Sequence, residues 1–562
     1  MYVKTTTRQT KTGTVRYVHL AHSEWDAAAG MSRPKILYSF GREDALDRAA
    51  VERLIGALTR LLDPAAATAA IAAPGMPELS IASSRPIGGT HLLEALWRRL
   101  GIGAALRRHA DERTERILFA LVASRALAPS SKLAATGWIA SDVHIAGLPE
   151  VSDDACYRAM DRLNRIEPKV AEQVYFQVTD LLNLEVDLLF FDTTSTYFEL
   201  GEADEPVGRD KDGRVTGDQD EVVKETGFRT HGNSKDHRDD LPQVVVGMAV
   251  TRDGIPVRVW SWPGNTGDSD LIRQVKDDMR AWSLSRIIWV ADRGFSSARN
   301  RRALMQGAGG YIIGERLRSG SAEVKAALSR QGRYAGIAGN MQVKEVRLAE
   351  YPDRFVLCHN PAQATRDAAI RDQLVAALQE AIAGTDTLTK AERARLEGVI
   401  STRPGLKRFL RVTPGGLLRV DKKKIAAEAN LDGKYLLRCS DPHLSSEDIA
   451  RGYKQLLEVE RGWRDMKSVL DLRPVYHRRE DRIRSHVVLC WLALLLVRVA
   501  ETASGWTWQR IRAEAQRLHA VTFTGPAGTF RQTTELTKPQ RDLLTALAIE
   551  PPRRVQDATP AA

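Results

Sequence analysis

Leu188-Leu189-Phe190-Phe191-Asp192-Thr193-Thr194 is the stretch on which the fold turns. Four apolar residues run into one carboxylate. The segment from Glu185 to Phe191 reads as a short buried strand. An acid at the end of such a strand is desolvated on one side and open on the other, which suits a metal ligand or a structural cap. For Asp192 alone the cap is the default. A second strand of the same kind, Arg286-Ile287-Ile288-Trp289-Val290-Ala291, ends in Asp292. The bland role for Asp292 is a turn or a pair with Arg293. A third acid, Glu460, lies on a strongly patterned helix.

Outward from Asp192, the chain alternates strands and helices. After a polar, Gly-rich loop over 200–233 comes the strand Gln243–Val250, then the turn Arg252-Asp253-Gly254 and a strand from Ile255 to Trp262, which together predict a hairpin. A helix over 270–282, the Asp292 strand, a helix over 297–306 and the strand Gly310–Gly314 follow. Three strands in meander, then a helix and parallel strands, is the order of the ribonuclease-H-like fold. The expected class is α/β: a ribonuclease-H-like core over 183–315 and 441–500, interrupted by an inserted α+β subdomain over 316–440. The insert mixes short strands (355–358, 409–412, 434–438) with a helix near 364–383. Before the core come a small β unit plus an amphipathic helix over 1–63, an Ala/Pro-rich linker over 64–87, and a helical domain over 88–182. A helical tail over 501–562 completes the chain. The basic β unit and the helical domain, with Arg107, Arg108 and Arg113, are both candidates for meeting phosphates.

Composition narrows the function. The chain has 562 residues, 43% hydrophobic and 27% charged, with 82 Lys and Arg against 71 acids and a net charge of +11. The modest excess of positive charge favours a polyanionic partner. Four scattered cysteines without a CxxC pair argue against a zinc ribbon or a disulfide scaffold and fit a reducing cytoplasm. The N-terminus MYVKTTTRQTK lacks an apolar signal region, and the apolar run Val487–Val497 is too short for a bilayer, so it reads as a buried helix with no membrane role. Walker, dinucleotide and H-E-x-x-H motifs are absent. Catalysis must then come from carboxylates, Lys, Arg and His.

At about 100° per residue, Tyr453, Leu456, Glu460, Arg464 and Lys467 fall within roughly 40° of Glu460 on one helix face. A neighbouring stripe, Val459, Trp463, Met466 and Leu470, is the core face, and Glu458 points away. Ser445-x-x-Asp448 predicts a capping box that opens this helix. By itself Glu460 is more simply a solvated residue paired with Arg464. Taken together, two aspartates and one glutamate make a site for two hard divalent cations such as Mg²⁺, with Mn²⁺ as a substitute. Two such ions about 3.5–4 Å apart activate a water or a 3′ hydroxyl and stabilise the leaving oxygen of a phosphodiester.

The three segments, in order, resemble the DDE transposases of bacterial insertion sequences, in the group (the IS-four superfamily) with a Y-x2-R-x3-E-x6-K third motif. Here the third motif reads Tyr453-x2-Leu456-x3-Glu460-x6-Lys467; Leu456 replaces the family Arg, so that phosphate contact is either taken over in part by Arg464, one turn beyond the Glu, or lost. The first motif is similar to Phe191-Asp192-Thr193-Thr194 and the second to Ala291-Asp292-Arg293-Gly294-Phe295. Asn233 to Gln243, Pro263-Gly264-Asn265-Thr266 and Arg473-Pro474-Val475-Tyr476-His477 also resemble family segments. The resemblance implies that Asp192, Asp292 and Glu460 are the metal ligands and that Tyr453 and Lys467 touch DNA near the cleaved end. It implies cut-and-paste transposition: binding of inverted-repeat ends, cleavage, and joining of 3′ hydroxyls to target DNA by a homodimer. Lys235 and Arg238 form a basic loop expected to face phosphates; His231 and His237 beside it are read as part of that loop and not as a metal site. The rival readings are a host nuclease on the same fold and an inactive, transposase-derived DNA-binding protein.

Overall fold

The protein is described by a computed structural model over residues 2–10, 13–26, 30–49, 51–52, 80–182, 187–208, 224–280, 282, 287–307, 309–318, 320–337, 339–526 and 528–560. In chain order the strands are β1 Tyr2–Thr10, β2 Gly13–Asp26, β3 Met31–Arg42, β4 Ser80–Pro86, β5 Leu188–Tyr197, β6 Val207–Gly208, β7 Lys224–Glu225, β8 Gln243–Val250, β9 Pro256–Pro263, β10 Ile288–Ala291, β11 Gly310–Glu315, β12 Ala335–Gly336, β13 Gln342–Arg347, β14 Arg354–His359, β15 Leu410–Val412, β16 Leu418–Val420, β17 Lys434–Cys439, β18 His519–Gly525, β19 Gly528–Thr533 and β20 Val555–Pro560. The chain divides into two compact units, Val178–Lys467 on one hand and Met1–Gln177 with Ser468–Ala562 on the other.

The Val178–Lys467 unit is built on a nine-stranded mixed sheet in the order β12-β13-β14-β17-β11-β10-β5-β8-β9. β5, β8 and β9 form an antiparallel meander, and Gly254 takes a positive φ of 74° in the turn between β8 and β9. That backbone conformation is open to glycine without steric cost. A helix, Asp268–Arg280, then carries the chain to β10, which pairs in parallel with β5, and β11 pairs in parallel with β10. β8 is buried at every position, as its unbroken Gln-Val-Val-Val-Gly-Met-Ala-Val run requires of a strand covered on both faces.

Two expectations need correction here. β5 does not stop at Asp192. It continues to Tyr197, because Thr193, Thr194, Thr196 and Tyr197 are good strand formers and pair with Val244–Gly247 and Gln243 of β8. Residues 185 and 186 of the expected strand lie outside the described residues. The 316–440 segment, expected as an inserted α+β subdomain, does not keep its strands apart from the core: β13, β14 and β17 extend the main sheet from β11. What it adds on its own is a small helical cluster, where Leu378, Ile400, Leu406 and Phe409 pack with the β15–β16 ribbon.

The other unit contains β1–β3 as an antiparallel sheet and the helices Gly88–Arg99, Ile102–Arg107, Glu112–Leu127 and Lys132–Gly137. The 88–182 region is helical as expected, and its longest helix, Asp153–Leu181, runs on with Pro168 inside it. Its apolar face, Met160, Leu163, Val170 and Val174, is buried on both sides of the proline and carries the helix through. Of the amphipathic helix expected over 44–62, residues 50 and 53–62 lie outside the described residues. The 501–562 segment is not a helical tail: β18, β19 and β20 join β4 in a four-stranded sheet of order β20-β19-β18-β4. β4 in turn occupies residues predicted as linker. Glu480–Ser504 is long and apolar enough to cross a bilayer by length and composition, yet 78% of its apolar window is buried inside the protein, where it packs on Glu112–Leu127. It is a core helix, as its Val487–Val497 run predicts.

Candidate active site

Strand register brings the two aspartates together. β10 pairs with β5 from Ile288↔Leu188 to Ala291↔Phe191, so Asp192 and Asp292 occupy the next position on neighbouring parallel strands. β10 stops there because Asp292 caps a short 3₁₀ turn, Arg293–Phe295. The Arg293 backbone N–H donates to Asp292 Oδ1 at 2.6 Å, and the Phe295 N–H donates to the Asp292 carbonyl at 3.0 Å. The turn role read for Asp292 is thus real and leaves Oδ2 out of the cap. The Asp192 side chain is 24% exposed. Burial pushes its carboxyl up to about 6; Lys235 opposes that shift, while Asp292 and Asp268 add to it.

The third acid arrives on a helix that differs from the expected one. Ser445 does cap a helix, accepting from the Asp448 N–H at 3.0 Å, but that helix is Ser446–Lys454 and ends before Glu460. At Gln455 and Leu456 the backbone bonds shorten from i→i−4 to i→i−3: Leu456 N–H donates to Tyr453 O at 3.1 Å and Glu458 N–H to Gln455 O at 2.9 Å. A second helix, Leu457–Ser468, then carries Glu460. Its core face is the predicted one, with Val459, Trp463, Met466 and Leu470 buried, and Glu460 is exposed. Glu458 leans instead toward the Gly254 turn.

Despite the break, Tyr453, Leu456 and Glu460 line one cleft of about 920 Å³ together with Asp192 and Asp292, and Arg293, Arg316, Lys434 and Lys454 also line it. The Tyr453 hydroxyl donates to Asp292 Oδ1 at 3.4 Å, and burial pushes its phenol pKa up. Its ring stacks on Tyr435, with centroids 5.9 Å apart. Room for the hydroxyl comes from Gly314 of β11: a Cβ there would collide with it.

The predicted DNA-contacting cations are placed differently from one another. Lys235 reaches into the site: its Nζ donates to Thr193 O at 2.6 Å and Thr193 Oγ1 at 2.5 Å, and lies 3.1 Å from Asp268 Oδ2 and 3.9 Å from Asp192 Oδ1. Lys467 pairs with Asp236 at 2.9 Å, and Arg238 pairs with Asp240 at 2.8 Å while lying over the Tyr197 ring. Arg464 is exposed on the Glu460 helix. The 233–243 loop is anchored, with the Lys235 N–H donating to Ser195 Oγ at 2.9 Å. Asn233, Lys235, Asn265, Thr266 and Asp268 line a second cleft of about 280 Å³, so two of the quoted motif segments converge there. Sequence reasoning missed Asp268 and Asp236. Asp268 reads as a first-turn acid of the helix Asp268–Arg280, and Asp236 was hidden among the cations around it. The segment around His477 belongs to the other unit, where burial drives the His477 imidazole down to about 3.

Carboxylate oxygens on a shared cleft are the donor set that a hard divalent cation takes. Among the described residues, however, no three His, Cys, Asp or Glu side chains are gathered closely enough to bind one ion together. The donor chemistry fits such a cation, and Tyr453 and Lys235 approach two of the acids, Asp292 and Asp192.

Residues 222–496 match the family described as the transposase DDE domain, a span that includes Asp292, Tyr453, Glu460 and Lys467 but begins after Asp192. No curated protein matches the chain. Among solved structures, the chain is similar to a piggyBac transposase in a cryo-EM synaptic complex with hairpin DNA, at 12% identity, covering 76% of each chain, with a TM-score of 0.34.

Proposed function

Residues 222–496 belong to the transposase DDE domain family, and from that premise we propose that the chain is a DNA transposase with Asp192, Asp292 and Glu460 as its catalytic carboxylates. The observation that carries this reading is the convergence of those three acids, from β5, from the turn after β10 and from the Leu457–Ser468 helix, on one cleft. The sheet order around them, a three-strand meander followed by two parallel strands, supports a ribonuclease-H-like core. The substrate is duplex DNA at the inverted-repeat ends of the chain's own element, and the products are cut ends whose 3′ hydroxyls are joined to target DNA. A synaptic homodimer acting in the bacterial cytoplasm is part of the same proposal.

Two Mg²⁺ ions held by these carboxylates would supply charge neutralisation at the scissile phosphate and a lowered pKa for the attacking hydroxyl. The chain's own residues do the rest. Tyr453 orients the Asp292 carboxylate through its hydroxyl. Lys235 neutralises Asp192 and Asp268 and keeps the paired acids from repelling one another. Arg293, Arg316, Lys434 and Lys454 line the same cleft and offer positive charge to substrate phosphates. Leu456, 9% exposed, gives the cleft an apolar wall where the family motif has an Arg. Exposed Arg464 takes up the phosphate contact one turn on.

The test is cleavage of duplexes carrying the repeats that flank the gene, with Mg²⁺, by wild type and by Asp192→Ala, Asp292→Ala and Glu460→Ala. Cuts at the repeat ends by wild type alone are expected. Cuts that ignore the repeats would replace the transposase with a nuclease. Binding to the repeats without cuts would identify a repurposed, inactive copy.

A further inference from the structure

Near the three carboxylates, Lys235 pairs with Asp268 and Lys467 with Asp236, and Arg318 at the cleft wall pairs with Glu428. Positive charge of another kind lies in the Met1–Gln177 part of the other unit. On the helix Asp153–Leu181, Arg158, Arg162, Arg165 and Lys169 recur at spacings of four, three and four, and all four are exposed. At about 100° per residue they fall within about 60° of one another. The opposite face is the buried one, with Met160, Leu163, Val170 and Val174. Beside this stripe, the turn after the helix Ile102–Arg107 presents Arg107 and Arg108, and turn and stripe together line a cleft of about 600 Å³.

The hydrogen bonds of the cleft separate its structural cations from the rest. Arg162 Nε donates to His109 O at 3.0 Å and ties the turn to the helix. Arg107 reaches the buried Glu115 at 3.1 Å. Among the described residues, Arg165 bonds only its own helix, through Asp161 O at 3.3 Å. The side chains of Arg108, Arg158 and Lys169 have no hydrogen-bond or ion-pair partner among the described residues. From Arg158 to Lys169 the stripe extends about 17 Å at about 1.5 Å per residue. One DNA strand carries about five phosphates over that length. A straight row of four exposed cations at that density, two of them (Arg158 and Lys169) without a partner among the described residues, matches a line of phosphates better than a folded acidic protein, whose carboxylates are scattered.

We propose that the Arg158–Lys169 stripe and the Arg107–Arg108 turn form a track for the phosphate backbone of duplex DNA, supplying sequence-independent affinity outside the catalytic cleft. The proposal rests on the transposase reading and adds which face of the Met1–Gln177 segment meets DNA.

The test uses the full chain in EDTA, so that no cleavage intervenes, with a short fluorescein-labelled duplex of unrelated sequence and anisotropy read against KCl. The triple variant Arg158→Ala, Arg165→Ala, Lys169→Ala alters only exposed positions and keeps helix propensity high. Its log–log salt slope is expected to be shallower by about 0.9 for each phosphate that is no longer neutralised. The swap variant Arg158→Lys, Arg165→Lys, Lys169→Arg is expected to keep the wild-type slope. An unchanged slope in the alanine variant overturns the track while leaving the transposase reading intact. An equally shallow slope in both variants overturns it as well, since shape and not charge would then matter. Displacement of the duplex by polyglutamate at equal charge would assign the stripe to an acidic protein instead. Wild type that binds no DNA at any salt concentration removes the track and the transposase reading together.

Discussion

Asp192 is held where burial disfavours its charge. The carboxyl of an unfolded Asp titrates near about 4, and in the folded protein burial lifts it to about 6. A raised acid pKa means that the folded state prefers the protonated form. The metal-free protein therefore keeps this contribution to stability below about pH 4 and loses it as pH rises through about 6. Asp192→Asn, which keeps the shape and removes the charge, is expected to stabilise the metal-free protein at pH 7 by about 1–3 kcal/mol. The gain should vanish near pH 4, as read by thermal unfolding in EDTA; equal stability at pH 7 would remove the burial argument. A bound cation must displace the same proton, so Mn²⁺ affinity measured by calorimetry is expected to weaken as pH falls through about 6. Lys235 opposes the shift. Lys235→Met should move the midpoint of that pH dependence upward, and a downward move would deny Lys235 its role as counter-charge.

Elements place the acids, and close approaches between elements hold them there. The Tyr453 hydroxyl fits over β11 only because residue 314 has no side chain. Gly314→Ala drives a methyl group into that oxygen, and overpacking of this kind costs about 1–3 kcal/mol. Tyr453→Phe in the Gly314→Ala background removes the closest atom and is expected to recover part of the lost stability in denaturant unfolding. No recovery would show that Tyr453 is not what Gly314 accommodates. The break between Ser446–Lys454 and Leu457–Ser468 was not legible in the sequence, because no Pro interrupts the heptad-like pattern and only a shift to i→i−3 bonds marks it. The alternation of apolar and polar positions on either side was legible, and Val459, Trp463 and Met466 are buried as it predicts.

At the scale of the whole molecule, the chain returns at its C-terminal end to the unit in which it began. The core helix Glu480–Ser504 packs on Glu112–Leu127, Trp508 Nε1 donates to Ala126 O at 3.0 Å, and β18 pairs with β4. Ending the chain at Lys467 would strip these partners from the Met1–Gln177 part. Leu489, Leu492, Leu494 and Leu496 are all fully buried, and each such side chain contributes about 1.5–3 kcal/mol on burial. Four of them together already approach a typical net stability of about 5–15 kcal/mol. The truncated chain is expected to lose cooperative unfolding of its N-terminal helices, followed by hydrogen exchange. Removal of residues 551–562 alone takes away the edge strand β20 and should leave that unfolding nearly unchanged. Intact protection in the chain ending at Lys467 would refute the packing argument.

What the sequence determined by itself is local and periodic. Apolar runs ending in Asp192 and Asp292, the hairpin across Gly254, the core stripe of the Glu460 helix and the buried Val487–Val497 run each follow from neighbouring residues, and the folded strands and helices preserve them. The tertiary structure decided what depends on partners distant in the chain. It paired Lys467 with Asp236 across 231 residues, set Lys235 against Asp268, drew β13, β14 and β17 into the main sheet, and matched β18 to β4. An ion pair or a sheet edge has no period along the chain. Its partner is chosen by which surfaces the fold brings within reach, and so it becomes visible only once the chain has closed on itself.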